Sequence, residues 1–63
     1  MQLYVKVKSD VTYYFPIPFQ DDTYALAHRR SSRMSPVDVI EKTRTHIRLH
    51  YKGKPRMFLF FGK

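Results

Sequence analysis

The 63-residue chain contains no cysteine, no tryptophan and only two glycines. Without cysteine there is no disulfide framework, no thiolate metal site and no thiol nucleophile. Gly53 and Gly62 stand alone, so no glycine-rich loop is present to cradle a nucleotide phosphate. Long apolar runs are missing too. The longest, Met57 to Phe61, falls far short of the roughly 20 residues that a membrane-spanning helix requires. Acidic residues are scarce, at five Asp and Glu against twelve Lys and Arg. Met1 leads directly into an alternating segment with no signal-peptide pattern, so the expected setting is cytoplasmic, with no membrane partner.

What the chain does have is aromatic side chains, at 16% of residues, and a net charge of +7. The aromatic content argues for a folded domain, because such a chain has apolar surface to bury. A domain of this length buries only about 60% of the surface its unfolded chain exposes, so its stability is marginal. One domain spanning 1–63 is expected, with no room for a second.

The charge is unevenly placed. Residues 1–27 carry Lys6 and Lys8 against Asp10, Asp21 and Asp22, whereas residues 28–63 carry ten basic side chains against Asp38 and Glu41. The second half therefore holds a net +8, the strongest functional signal in the sequence.

Hydrophobic periodicity supplies the elements. Leu3, Val5 and Val7 alternate with polar residues, which predicts a half-buried strand over residues 2–8. Ser9-Asp10 supplies a turn. Residues 12–19 place Tyr13, Phe15, Ile17 and Phe19 on one face, and Pro16 and Pro18 confine the segment to a sheet edge. These two strands are expected to pair as a hairpin. Residues 23–30 fit either a strand, by the alternation of Tyr24, Leu26 and His28, or a short helix after the aspartates, and the reading leans to helix.

Ser35 with Pro36 and Asp38 reads as a helix start, predicting a helix over 36–45 that turns Val37 and Ile40 inward. Its free backbone N–H groups could bind an anion, but Asp38 in the same turn would repel one, which favours simple capping. Residues 46–51 and 56–61 alternate around Lys52-Gly53-Lys54-Pro55 and predict a C-terminal hairpin. The expected fold class is α+β: a small four-stranded, largely antiparallel sheet in the order β-β-α-β-β with one main helix on a face.

The register of that last hairpin leaves two surfaces open. One pairs Leu49 with Phe58 and Ile47 with Phe60 in the core. The other puts Phe58 and Phe60 beside His46, Arg48, His50, Lys52 and Arg56, giving flat rings on a basic face where unpaired bases could stack. A second basic group comprises Arg29, Arg30 and Arg33, with Lys42 and Arg44 following. Arginine forks suit phosphate oxygens and the carboxylates of a protein partner equally well.

Three histidines raise metal binding or acid–base chemistry. His46 and His50, four apart on a strand, are separated by about 13 Å, too far to share a metal ion. A ribonuclease using His28, His46 or His50 with Arg48 or Lys52 is conceivable, but solvent-facing histidines on a basic face are commoner.

The sequence therefore predicts a non-enzymatic nucleic-acid-binding protein, for DNA or RNA, with no cofactor and no metal. Its candidate contacts are Arg29, Arg30, Arg33, Arg44, Arg48, Lys52, Lys54 and Arg56 for phosphate, with Phe58 or Tyr51 for stacking. The alternative is an inhibitor or adaptor that docks a basic or aromatic surface, such as the Tyr13–Phe19 segment, on an acidic protein partner. A homodimer whose basic face only confers solubility is the third option.

Overall fold

β-branched and aromatic residues alternate in several stretches of this chain, among them Val5-Val7, Tyr13–Phe19 and Phe58–Phe60, and that pattern favours strands. The computed structural model describes residues 1–28 and 36–63. It contains β1 (Gln2–Val7), β2 (Tyr13–Tyr14), β3 (Ala25–His28), β4 (Asp38–Lys42), β5 (His46–His50) and β6 (Arg56–Phe61). Among the described residues there is no helix, so the fold is all-β rather than α+β.

The strands form two three-stranded antiparallel sheets, ordered β1-β6-β3 and β2-β5-β4, in place of the expected single four-stranded sheet. Their inner faces share one core. Val7, Phe58 and Phe60 come from the first sheet, Ile47 and Leu49 from the second, and Phe15, Phe19, Tyr24 and Tyr51 close its ends. Aromatic edges cross between the sheets: Phe15 meets Phe60 with ring centroids 5.3 Å apart, and Tyr51 meets Phe58 at 5.7 Å. Phe19 stacks on Tyr24 at 4.2 Å.

Two tyrosine hydroxyls fasten the sheets to each other. Tyr51 donates to the Val7 carbonyl and accepts the Arg56 N–H at 3.1 Å, so one side chain at the end of β5 fixes the ends of β1 and β6. Tyr24, just before β3, donates to the Thr43 carbonyl at 2.7 Å. Burial pushes the Tyr24 hydroxyl up to about 12, because the phenolate would lose its hydration and Asp22 adds a like charge.

Several expected pairings are corrected. β5 and β6 do not form a hairpin, because they are the central strands of different sheets. The Lys52–Pro55 turn, with Gly53 at φ +99°, carries the chain from one sheet to the other. Ile47 and Leu49 thus face Phe58 and Phe60 across the core instead of lying beside them. The physical reason is burial: this arrangement encloses all four side chains completely. Likewise β1 pairs with β6, and β2 with β5, so residues 2–8 and 12–19 do not form a hairpin.

The helix expected over 36–45 is instead the edge strand β4, paired with β5. Val37, Val39, Ile40, Thr43 and Thr45 are β-branched and disfavour helix, and the N–H and C=O groups along β5 need a partner. A bulge between Val39 and Glu41 leaves Ile40 without an opposite residue, and Val39 and Ile40 are exposed. Residues 25–28 are strand β3, not the helix toward which the sequence leaned. Ile17, grouped by the alternation on one face with Phe15 and Phe19, projects to solvent between the two prolines, while Phe15 and Phe19 on either side are buried.

Candidate nucleic-acid interface

A strand exposes alternate side chains, so the outer face of each sheet can be written down residue by residue from its register. On the β2-β5-β4 sheet that outer face carries His46, Arg48 and His50 of β5. Tyr14 lies against His46, with ring centroids 5.2 Å apart. The carboxylates lie on the same side. Glu41 is in register with Arg48, and its carboxylate accepts a hydrogen bond from Nε2 of His46. The other His46 ring nitrogen contacts the Thr43 and Thr45 hydroxyls at 3.1 and 3.0 Å. Asp38 pairs in register with His50, whose Nδ1 lies 3.1 Å from both oxygens of Asp10. The His50 hydrogen bond, reinforced by the Ser9 hydroxyl and the charges of His50 and Arg48, holds Asp10 below its ordinary value of 3.8.

This face is therefore charged in both signs. The expected row of basic side chains along β5 is present, but three of the five acidic residues stand beside it. Arg48 is exposed, and Arg44, Lys52 and Lys54 are exposed in the flanking turns. Among the described residues, none of these four is held in an ion pair with a carboxylate; the two close contacts to carboxylates are made by histidines. Arg56 is half-buried, with its guanidinium 4.7 Å from the centre of the Tyr51 ring and one nitrogen donating to the Lys52 carbonyl at 2.9 Å. Lys42 sits 4.5 Å over the Tyr24 ring and donates to the Asp22 carbonyl. Arg29, Arg30 and Arg33, and the Ser35 cap, lie outside the described residues.

The aromatic candidates are corrected. Phe58 is fully enclosed and Tyr51 nearly so, and neither offers a ring face to a base. Tyr14, at 68% exposure, stands on the β2-β5-β4 sheet against His46, and the other exposed rings stand on the β1-β6-β3 sheet. Tyr4 is 62% exposed and Phe61 39%, on the outer face of β1-β6-β3. Sequence reasoning passed over both. The available signal was Tyr4 on the polar side of the β1 alternation, together with a β6 run that is apolar on both faces.

Shallow recesses open among the described residues, two of them with walls of mixed charge. One, of about 240 Å³, is lined by Pro36, Asp38, His50, Tyr51 and Lys52. The other, of about 320 Å³, is lined by Gln20, Asp21, Asp22, Lys42, Thr43 and Arg44. Both mix charges of opposite sign around a shallow surface. No group of three His, Cys, Asp or Glu side chains among the described residues is placed to hold a metal ion. No helix there is long and apolar enough to cross a membrane. Comparison with known proteins finds no matching family model, no matching curated protein and no matching solved structure.

Proposed function

We propose that this chain is a small non-enzymatic nucleic-acid-binding protein whose affinity comes mainly from phosphate contacts. The observation that carries this reading is the net charge of +7, with Arg44, Arg48, Lys52 and Lys54 exposed and outside any ion pair among the described residues. Cations in that condition release phosphate counterions on binding without first breaking an internal pair. The non-enzymatic reading rests on strand geometry: His46 and His50 sit four residues apart on β5, about 13 Å, too far to act as acid and base on one phosphate.

The test is fluorescence anisotropy of labelled single- and double-stranded DNA and RNA at several salt concentrations. A duplex site neutralising four to six phosphates loses affinity with a log–log slope of roughly −4 to −5. Absence of binding to every oligonucleotide at moderate salt contradicts the proposal.

A second reading, docking on an acidic protein, draws on Ile17 at 66% exposure between Pro16 and Pro18, and on Val39 and Ile40 at the bulged edge. A protein interface collapses when one such anchor is removed, whereas phosphate binding declines in steps as cations are removed one by one.

A further inference from the structure

The outer face of the β1-β6-β3 sheet is a grid read directly from the register. Gln2, Phe61 and Ala25 form one row, Tyr4, Leu59 and Ala27 the next, and Lys6 and Met57 a third. Three features of this grid belong together. Tyr4 and Phe61 are diagonal neighbours, which places their side-chain bases about 7 Å apart. Ala25 and Ala27, both exposed, flank the central strand and are too small to cover the rings. Lastly, none of the three strands contains an acidic residue. Lys6 lies in the face, and the exposed Lys8 and Lys63 follow the ends of β1 and β6. Asp21 lies near enough to Lys63 to feel its charge, whereas Asp10, two residues after Lys8, is engaged by His50, which leaves Lys6 and Lys8 outside any ion pair among the described residues.

We propose that this face is a base-stacking platform for single-stranded nucleic acid, with Tyr4 and Phe61 each taking an unpaired base and Lys6 and Lys8 holding the adjoining phosphates. The inference rests on the nucleic-acid reading above and sharpens it, since it adds to the exposed cations around β5 a separate surface on the opposite sheet that selects single strands. Only unpaired bases can present their flat faces to protein rings; a duplex hides them in its stack. Charge complementarity chooses nucleic acid over a second copy of the chain. Two copies would bring together faces bearing cations and no carboxylate, whereas a phosphate backbone supplies the missing sign.

The experiment uses the full 63-residue chain and three labelled probes: (dT)12, (rU)12 and a mixed-sequence 12-base-pair duplex. Stacking on one ring changes affinity by about 5- to 150-fold. Tyr4→Ala and Phe61→Ala are each expected to weaken (dT)12 and (rU)12 within that range and to leave the duplex affinity unchanged, while Tyr4→Phe retains binding. Thermal melts of the same samples establish that the variants are folded; Tyr4, at 62% exposure, is the safer of the two sites. If single strands bind and Tyr4→Ala with Phe61→Ala changes nothing, the platform is wrong and the phosphate-binding reading survives. If no probe binds, both fall. If sedimentation shows a dimer that Tyr4→Ala dissolves, the face covers a second copy and the inference is overturned.

Discussion

The two sheets solve the same inner problem and present opposite outer faces. Each contributes fully buried side chains to the common core: Phe58 and Phe60 from β6, Ile47 and Leu49 from β5. On the outside, β2-β5-β4 is a mosaic in which His46 meets Glu41 and His50 meets Asp10. The outer side of β1-β6-β3 carries Tyr4, Leu59, Phe61 and Met57 with Lys6 and no carboxylate. Net charge alone does not locate a binding surface. Where a cation stands beside an acid its field is partly cancelled, and a less charged face can be the more attractive one for an anion that also carries aromatic bases.

The sharpest break between inside and outside falls at adjacent residues. Phe60 is fully buried and Phe61 is 39% exposed. Phe60→Ala is expected to cost about 3–5 kcal/mol, enough to unfold much of so small a domain, whereas Phe61→Ala stays near about 1 kcal/mol. Urea titrations followed by circular dichroism read both. Gly62 comes next. A Cβ there would lie 2.8 Å from Cβ and 2.9 Å from Cα of Tyr24, so backbone must move, and Gly62→Ala is expected to lower stability by about 1–3 kcal/mol. Gly53→Ala, at φ +99° with open space around it, should cost about 1 kcal/mol from backbone conformation alone.

Smaller effects separate the two outer faces. Lys6→Ala is expected to reduce the magnitude of the single-strand salt slope by roughly 0.7, the loss of one phosphate contact. Arg48→Ala, beside Glu41, should change it less. The weakest contrast lies in pH. Asp10 on the mixed face has a lowered folded-state pKa, so the unfolded chain binds its proton first as pH falls. Its contribution is present above 3.8 and disappears as pH drops through the lower folded value, and Asp10→Asn should remove that part of the acid dependence. Tyr24 works in the other direction. With the folded value near 12 and the ordinary one at 10.0, stability should fall as pH rises between them, seen as late tyrosinate absorbance.

Much of the strand content was legible in the residues. The Leu3-Val5-Val7 alternation, and the same pattern in 46–51 and 56–61, correspond to β1, β5 and β6. Pairing was not legible, because a turn such as Lys52–Pro55 serves a hairpin or a crossing between sheets equally well, and only total burial chooses. The region 36–45 misled because Ser35-Pro36 and the Val37–Ile40 spacing imitate a helix start, while the demand of β5 for a hydrogen-bonded neighbour is a long-range fact. For the candidate site, the cations were legible as composition, but their neighbours Glu41 and Asp10 became visible only through register and the Ser9-Asp10 turn. Phe58 was placed among the binding residues because one register exposed it; the exposed ring of β6 is Phe61, three residues farther along.

The central claim, that the β1-β6-β3 face rather than the mixed-charge sheet takes the unpaired bases of a single strand, is tested most directly by nuclear magnetic resonance of the labelled chain titrated with (dT)12. The account predicts that the ring resonances of Tyr4 and Phe61 and the amides of β1, β3 and β6 shift with added strand, while those of β4 and β5 hold still. Shifts concentrated on Arg48, His46 and the β4–β5 amides, with Tyr4 and Phe61 unmoved, would contradict it.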